Sequence, residues 1–492
     1  MGRLLTIRSL LSTVALVPLA LFAMLPARHA ASQTWTGAGA NSAWSTAENW
    51  SSGAPLVSSA TTAVVFDGSS SLQLSNVLSG SYIVKSLTFT AGQTTAVTIS
   101  TTNTQPLVVA SGTVVSSAAG AHRFVGSNGG SGAAADWRFT GGSGSAYTFD
   151  IADGSSFEVA GRFSNINSGT SGSTTNRLFT KTGGGTLILA GDNGGSGSWN
   201  FSGGRFTVAQ GAVRLTVANA LGNSGDAYTV SPGGSLEFSF PGTAAAIGQV
   251  TGSHIVSGSG VAGAGALRTL SGTVTLTGGA GSIALPAAAA FGVDSGKMTV
   301  GHVMSGVGSL TKVGAGVLQL NSAANSYSGG TLVSDGLLIV SNSTAIGPGP
   351  LTIQGGSLDI LASGAGDLAL GAAAPFTMTS GTLNLLLGTV FDRILGSGGA
   401  TFATPGGTLA LDVTGTGFDY AAGYQIFSGF SSGTAAGVAI SGYDTSAYTA
   451  LLSDSGLLSF SAVPEPASLA MVGLATAASA HYLSRRRRHR RC

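Results

Sequence analysis

Charge and cysteine are what this 492-residue sequence has least of. Asp, Glu, Lys and Arg together make up 8% of it, and its one cysteine is the last residue, Cys492. A single thiol closes no internal disulfide, so any core must come from apolar packing. Low charge joined to 43% hydrophobic residues excludes charge-driven disorder, which needs the opposite balance. Proline is also scarce, at 13 residues, and the 78 glycines keep no three-residue period, which excludes a collagen-like helix. Basic residues are missing where nucleic acid would need them. Of the 21 Lys and Arg, three (Arg3, Arg8, Arg28) lie in the first 31 residues and six (Arg485, Arg486, Arg487, Arg488, Arg490, Arg491) in the last eight. Residues 32–463 keep twelve against eighteen Asp and Glu, a net charge of −6. The formal +2 of the whole chain therefore belongs to its ends, and no nucleic-acid partner is expected.

The ends carry export chemistry. Arg3 and Arg8 precede an apolar run from Leu10 to Leu25, followed by the small-residue exit ARHAAS. That order predicts a secretory signal peptide over 1–31, cleaved near Ala30 or Ala31, with the Sec translocon as partner. An uncleaved membrane anchor is the alternative, weakened because the run is shorter than the ~20 residues a span prefers. At the other end, Ala467 to Leu483 is mostly apolar and RRRRHRR follows. As a helix this stretch is about 25 Å long, the short limit for crossing a bilayer. The positive-inside rule leaves the arginines in the cytoplasm as a basic anchor and the body outside. Just before the span stands Val463-Pro464-Glu465-Pro466, whose prolines keep the chain extended and out of the helix.

Those three parts in that order resemble the PEP-CTERM sorting signal of Gram-negative bacteria. The resemblance implies an exosortase, a membrane-embedded cysteine transpeptidase-like enzyme, as processing partner. Residues 463–492 would pass through the inner membrane transiently at 467–483, and the product would end at the cell surface or in the exopolysaccharide matrix. Pro464, Glu465 and Pro466 would be substrate residues with no catalytic role. A Pro-rich juxtamembrane linker on a permanently anchored protein is the competing reading.

Between the ends, short β-type runs alternate with Gly-rich breaks, and Ser235 to Phe240 alternates apolar and polar residues with the period of a half-buried strand. Internal repetition is stronger. Phe179 to Leu189 (FTKTGGGTLIL) matches Leu310 to Leu320 (LTKVGAGVLQL). In the same order, NFSGG (200–204) matches SYSGG (326–330), ALG (220–222) matches AIG (345–347), and GGSLEF (233–238) matches GGSLDI (355–360). In the second copy, strands beginning at Val317, Leu337 and Ser357 recur at the interval of one coil of a parallel β-solenoid, in which stacking supplies the core and glycines turn the corners. These units resemble the autotransporter-associated β-strand repeat, which implies an all-β fold, a right-handed parallel β-helix. The expected layout is a β-rich region at 32–176, the repeat solenoid at 177–400 and a second β-rich region at 401–462. Residues 56–176 and 370–460 carry no motif that can be placed.

Catalytic chemistry is thinly represented. GSGVAG (258–263) fits GxGxxG, but Ala264 to Leu276 reads as turn and strand, so no dinucleotide site is expected. His122, His254 and His302 stand far apart without Cys partners and read as isolated surface or turn residues; no metal and no cofactor are expected. Asp150, Asp153 and Glu158, with Arg162 nearby, are the closest acidic group of the body. Parallel β-helices also carry polysaccharide lyases and glycosidases, so this group keeps a carbohydrate-active enzyme as the rival reading. Trp35, Trp44 and Trp50 fall together beside Glu48 and Asn49, a composition that could stack sugar rings but that also suits the cap of an open solenoid end. The leading expectation is a non-enzymatic exported scaffold or adhesin-like component, with exopolysaccharide or another surface polymer as its suggested contact.

Overall fold

The computed structural model describes residues 32–101, 105–126, 137–141, 144–161, 163–164, 177–192, 205–221, 227–247, 253–276, 281–360 and 366–464. The expected signal peptide, the span at 467–483 and the terminal arginines lie outside the described residues. Among the described residues no helix is long and apolar enough to cross a membrane. The helical elements there are two single turns, Ala47–Asn49 and Val261–Gly263.

The body is all-β and solenoid-like, as the alternation predicts. One wall is an eleven-stranded sheet whose spatial order is its order in sequence: Ser32–Thr34, Ala63–Phe66, Ser86–Phe89, Gly112–Ser117, Ala146–Ile151, Leu178–Thr182, Arg205–Val208, Ala227–Val230, Ser253–Val256, Ser282–Ala284 and Val303–Ser305. Successive members pair in parallel. Parallel neighbours cannot be joined by a hairpin, so each connection must travel around the molecule before returning, which is the geometry of a coil. The returning chain builds further parallel ladders, among them Leu267–Leu276, Lys297–Val300, Val317–Leu320, Leu337–Val340, Leu351–Ile360, Phe376–Leu386 and Thr408–Asp412.

Period-two alternation fixes what each ladder buries. Val274, Met298, Leu318, Leu338, Leu358, Leu383 and Leu409 lie in register, one per coil, and each is fully buried. Each such side chain contributes about 1.5–3 kcal/mol relative to exposure. Charge also appears in paired form on these coils: Arg214, the buried Glu237, Arg268 and Asp294 form a chain of ion pairs at 2.8, 3.3 and 2.6 Å.

Val317 stacks on Leu337 and Leu337 on Ser357, the interval expected from sequence. The regions without recognisable motif join the same stack. Ala146–Ile151 pairs along five positions with Leu178–Thr182, and Phe376–Leu386 pairs with Thr401–Ala403 and Thr408–Asp412. Parallel pairing thus continues across 176/177 and 400/401. Near the C-terminal end of the described body the pattern changes: Tyr424–Gln425, Leu457–Ala462 and Tyr448–Leu452 form an antiparallel three-stranded sheet.

Candidate functional site

The sorting motif begins where this antiparallel sheet ends. Leu457–Ala462 is its central strand, with Tyr448 opposite Ala462, and the Val463 amide donates to the Ala447 carbonyl at 2.8 Å. The strand is pinned from one face: Leu452 and Leu458 are buried, and the Phe460 ring meets Tyr420, Tyr443 and Phe418 at 5.2, 5.6 and 5.9 Å. Ser461, Ala462, Val463 and Pro464 are exposed. Pro464 therefore stands free of the fold directly after the last paired residue. Glu465, Pro466 and Arg485, Arg486, Arg487, Arg488, Arg490 and Arg491 lie outside the described residues.

The aligned repeat copies share a feature that sequence inspection records only as identity. Lys181 and Lys312 occupy inward positions of their strands, in register with Phe149 and Phe291 on the preceding coils, and both are fully buried. Each ammonium ends in a cage of carbonyls. Lys312 Nζ donates to the carbonyls of Val313, Gly314 and Asp335 at 3.0, 2.5 and 3.1 Å. Lys181 Nζ donates to those of Thr182, Gly183 and Gln210 at 2.7, 2.7 and 3.3 Å. Two carbonyls come from the lysine's own corner and one from the next coil, so the cation ties successive corners together. Burial pulls each ammonium down to about 8, against nearby Asp150 for Lys181 and Asp335 and Asp294 for Lys312.

The tryptophans do not offer a sugar platform. Trp35, Trp44 and Trp50 are at most 2% exposed, so no ring face is left to stack on a pyranose. Trp50 packs edge-on against Trp35 and Trp44 at 5.1 and 5.6 Å. The indole N–H of Trp44 donates to Asn76 Oδ1, and that of Trp50 to the Trp44 carbonyl. Ser51 N–H meets the Thr34 carbonyl and Ala43 bridges to Val77, so this segment covers the edges of the first strands.

The histidines also differ from expectation: His122, His254 and His302 are buried, not on the surface. His122 stacks on Phe89 at 4.1 Å and His254 on Tyr228 at 3.9 Å. Each offers Nδ1 to a backbone amide one coil away, of Val97 and Tyr228 respectively. Burial lowers the affinity of His122 and His302 for a proton, against backbone hydrogen bonds to Ala119 and Gly281. No cluster of three metal-ligating side chains occurs among the described residues. GSGVAG is a coil corner in which Ser235 Oγ donates to the Gly265 carbonyl and accepts from Val261 N–H; the strand Leu267–Leu276 comes next.

The acidic group named from sequence does not converge. Asp150 accepts from the Thr182 hydroxyl at 3.0 Å, Asp153 caps its own turn at Gly154, and Glu158, on another sheet, pairs with Arg123 at 3.3 Å. Arg162 lies outside the described residues. Carboxylates do meet elsewhere. Asp359, Asn384, Asp392 and Asp412 line a groove of about 420 Å³, because Asp359 stacks on Asn384 and Asp412 on Leu386 along the ladder. Burial pushes Asp392 up to about 6, opposed by the Leu386 amide at 2.7 Å and reinforced by Asp359, Asp367 and Asp412. Hydrogen bonds from Thr414 hold Asp412 below the ordinary carboxylate value. Aligning GGSLDI with GTLNLL and GTLALD by coil would have placed Asp359, Asn384 and Asp412 on one wall. Asp392 arrives from a loop and has no such signal.

A family model described as the passenger-associated-transport-repeat matches residues 179–215 and 310–340, the two segments containing the caged lysines. A second, described as the PEP-CTERM protein-sorting motif, matches 462–488. No curated protein and no solved structure matches the chain. The chain thus carries a PEP-CTERM protein-sorting motif behind an all-β body that contains passenger-associated-transport repeats.

Proposed function

We propose that this is a non-enzymatic, exported scaffold of the cell surface or extracellular matrix, released from its membrane tail by an exosortase acting at Pro464 to Pro466. The observation that carries the reading is the junction: the sorting motif follows the last folded strand immediately, with Pro464 exposed. The body supports the rest. A solenoid-like coil with a sparsely charged Ser- and Thr-rich surface suits contact with exopolysaccharide or other neutral polymers, and the Arg-rich end suits retention of a transient inner-membrane intermediate after Sec-dependent export. Fractionation of Gram-negative cells that make the intact protein and a Pro464–Pro466 deletion tests it. The intact form is expected at the surface with reduced mass, and the deletion held in the inner membrane at full mass; identical location and mass for both would sink the sorting claim.

A second reading, a carbohydrate-active hydrolase, draws its support from the groove at Asp392 and Asp412, two carboxylates whose environments push their proton affinities apart as an acid and a base require. Reducing-end release from bacterial exopolysaccharides, abolished by Asp392→Asn, is its expected signature. Absence of release from the intact protein retires it.

A further inference from the structure

Only two residues, Glu465 and Pro466, separate Pro464 from Ala467, the first residue of the apolar stretch 467–483, a reach of at most about 10 Å. When that stretch is inserted, the antiparallel hairpin that ends at Ala462 is held close to the headgroup layer. Its two faces differ. The alternation of strands Tyr448–Leu452 and Leu457–Ala462 puts Tyr448, Ala450, Leu452, Leu458 and Phe460 toward the aromatic cluster. The opposite face carries Thr449, Leu451, Leu457, Ser459 and Ser461, and Val463 continues it. No residue of that face is charged. Its apolar members are unusually bare for their type, with Leu451 65% exposed, Leu457 37% and Val463 40%. The nearest acid, Asp454 in the connecting turn, is exposed and accepts from Ala435 N–H at 2.8 Å.

We propose that this outer face of the C-terminal hairpin is a membrane-docking surface, lying on the headgroup and upper acyl region of the phospholipid bilayer that receives 467–483. The proposal rests on the sorting reading for the existence of the anchored form and adds the surface by which that form sits on the bilayer. Apolar and hydroxyl side chains without charge suit the interface, where backbone and hydroxyl groups remain hydrated while Leu and Val enter the acyl boundary. Binding would be weak for a free body and effective for a tethered one, because the anchor keeps the hairpin at high local concentration. Processing at the motif would remove the tether and, with it, the docking.

The test uses the full chain with Cys492→Ser, reconstituted into vesicles of phosphatidylethanolamine and phosphatidylglycerol. An environment-sensitive fluorophore is placed at Leu451→Cys or at Leu457→Cys, with Val307→Cys, 74% exposed at a coil corner, as the reference. Flotation with the vesicles establishes the anchored form. Nitroxide on the upper acyl chain is then expected to quench the probes at 451 and 457 at least about twofold more than the probe at 307. Failure to float overturns the anchored reading and the docking with it. Flotation with equal, water-like behaviour at all three positions overturns the docking alone. Quenching that appears only as protein density per vesicle rises would make a second copy the occupant and would also overturn it. Because a fluorophore can itself seek lipid, Leu451→Asp with Leu457→Asp supplies a second readout. Hydrogen exchange of Tyr448–Leu452 in vesicles is expected to rise in that variant and stay unchanged in a Val307→Asp control; equal exchange in both would count against docking.

Discussion

A lysine in an apolar ladder would ordinarily weaken it, yet in both repeat copies the inward position is Lys181 or Lys312 and its cation donates to three carbonyls. Removing the cation strands those carbonyls in a buried corner. Lys312→Met, which keeps the aliphatic stem, is therefore expected to cost about 2–4 kcal/mol. Thermal unfolding of the purified protein and amide exchange over 310–340 would register the loss, whereas an unchanged profile would show the cage to be incidental. The buried histidines respond to pH instead. His122 Nδ1 must remain unprotonated to accept from Val97 N–H, while Nε2 lies 2.6 Å from the Ala119 carbonyl. Its folded proton affinity lies below the ordinary value near 6.5, with burial the main cause and Ala119 opposing it. The unfolded chain thus takes up the proton first, so this contribution is complete above pH ~6.5 and is lost as pH falls toward the folded value. Exchange protection of the Val97 amide is expected to fall through that window and to stay level from neutral pH upward.

At the scale of the element, the corners decide whether strands can stack. Gly336 has φ +62°, and a Cβ there would fall on the carbonyl oxygens of Gly314 and Gly316 and near Lys312 Nζ. Gly233 has φ +89° but open space around the same position. Gly336→Ala should destabilise the fold by several times the roughly 1 kcal/mol that a φ penalty alone gives Gly233→Ala; equal midpoints in thermal melts would refute the clash. The last hairpin poses a different question, because the sorting motif has no linker. Val463 is still bonded to Ala447, while a processing enzyme reads extended, unpaired chain. Six Gly and Ser residues inserted after Ala462 are expected to speed tail removal in cells, and a disulfide between Ala447→Cys and Val463→Cys to slow it, both visible as precursor-to-product ratios on gels. The coil interval was legible in sequence because Val317, Leu337 and Ser357 each begin an alternating strand after a glycine corner. The hairpin was not, since Tyr448–Leu452 and Leu457–Ala462 alternate like any other strand and only their pairing partners, which sequence does not name, make them antiparallel.

At the scale of the whole molecule, a stack of coils has ends, and each coil draws its stability from its neighbours. The motif-poor regions 56–176 and 370–460 escaped sequence placement because their alternation survives while their corner residues vary, yet the same inward positions remain apolar: Val64, Leu87, Val115 and Phe149 in one wall, Leu383 and Leu409 in another. The carboxylate groove was hidden for a related reason, since Asp359 and Asp412 approach only through coil stacking. The tryptophans were visible, but whether they faced sugar or sealed an end depended on burial. Their enclosure defines the consequence of removing one. Trp44→Ala deletes two edge contacts, with Trp50 and Tyr82, and the hydrogen bond to Asn76, a loss of about 3–5 kcal/mol at the first coil. In a one-dimensional stack that loss propagates inward and fades, so amide exchange should accelerate over Ser32–Thr34, Ala63–Phe66 and Tyr82–Val84 while Leu310–Val313 and Leu337–Val340 keep their protection. Uniform acceleration along the chain would mean that the body unfolds as one cooperative unit, and the tryptophan cluster would then be an ordinary part of a global core instead of an end cap.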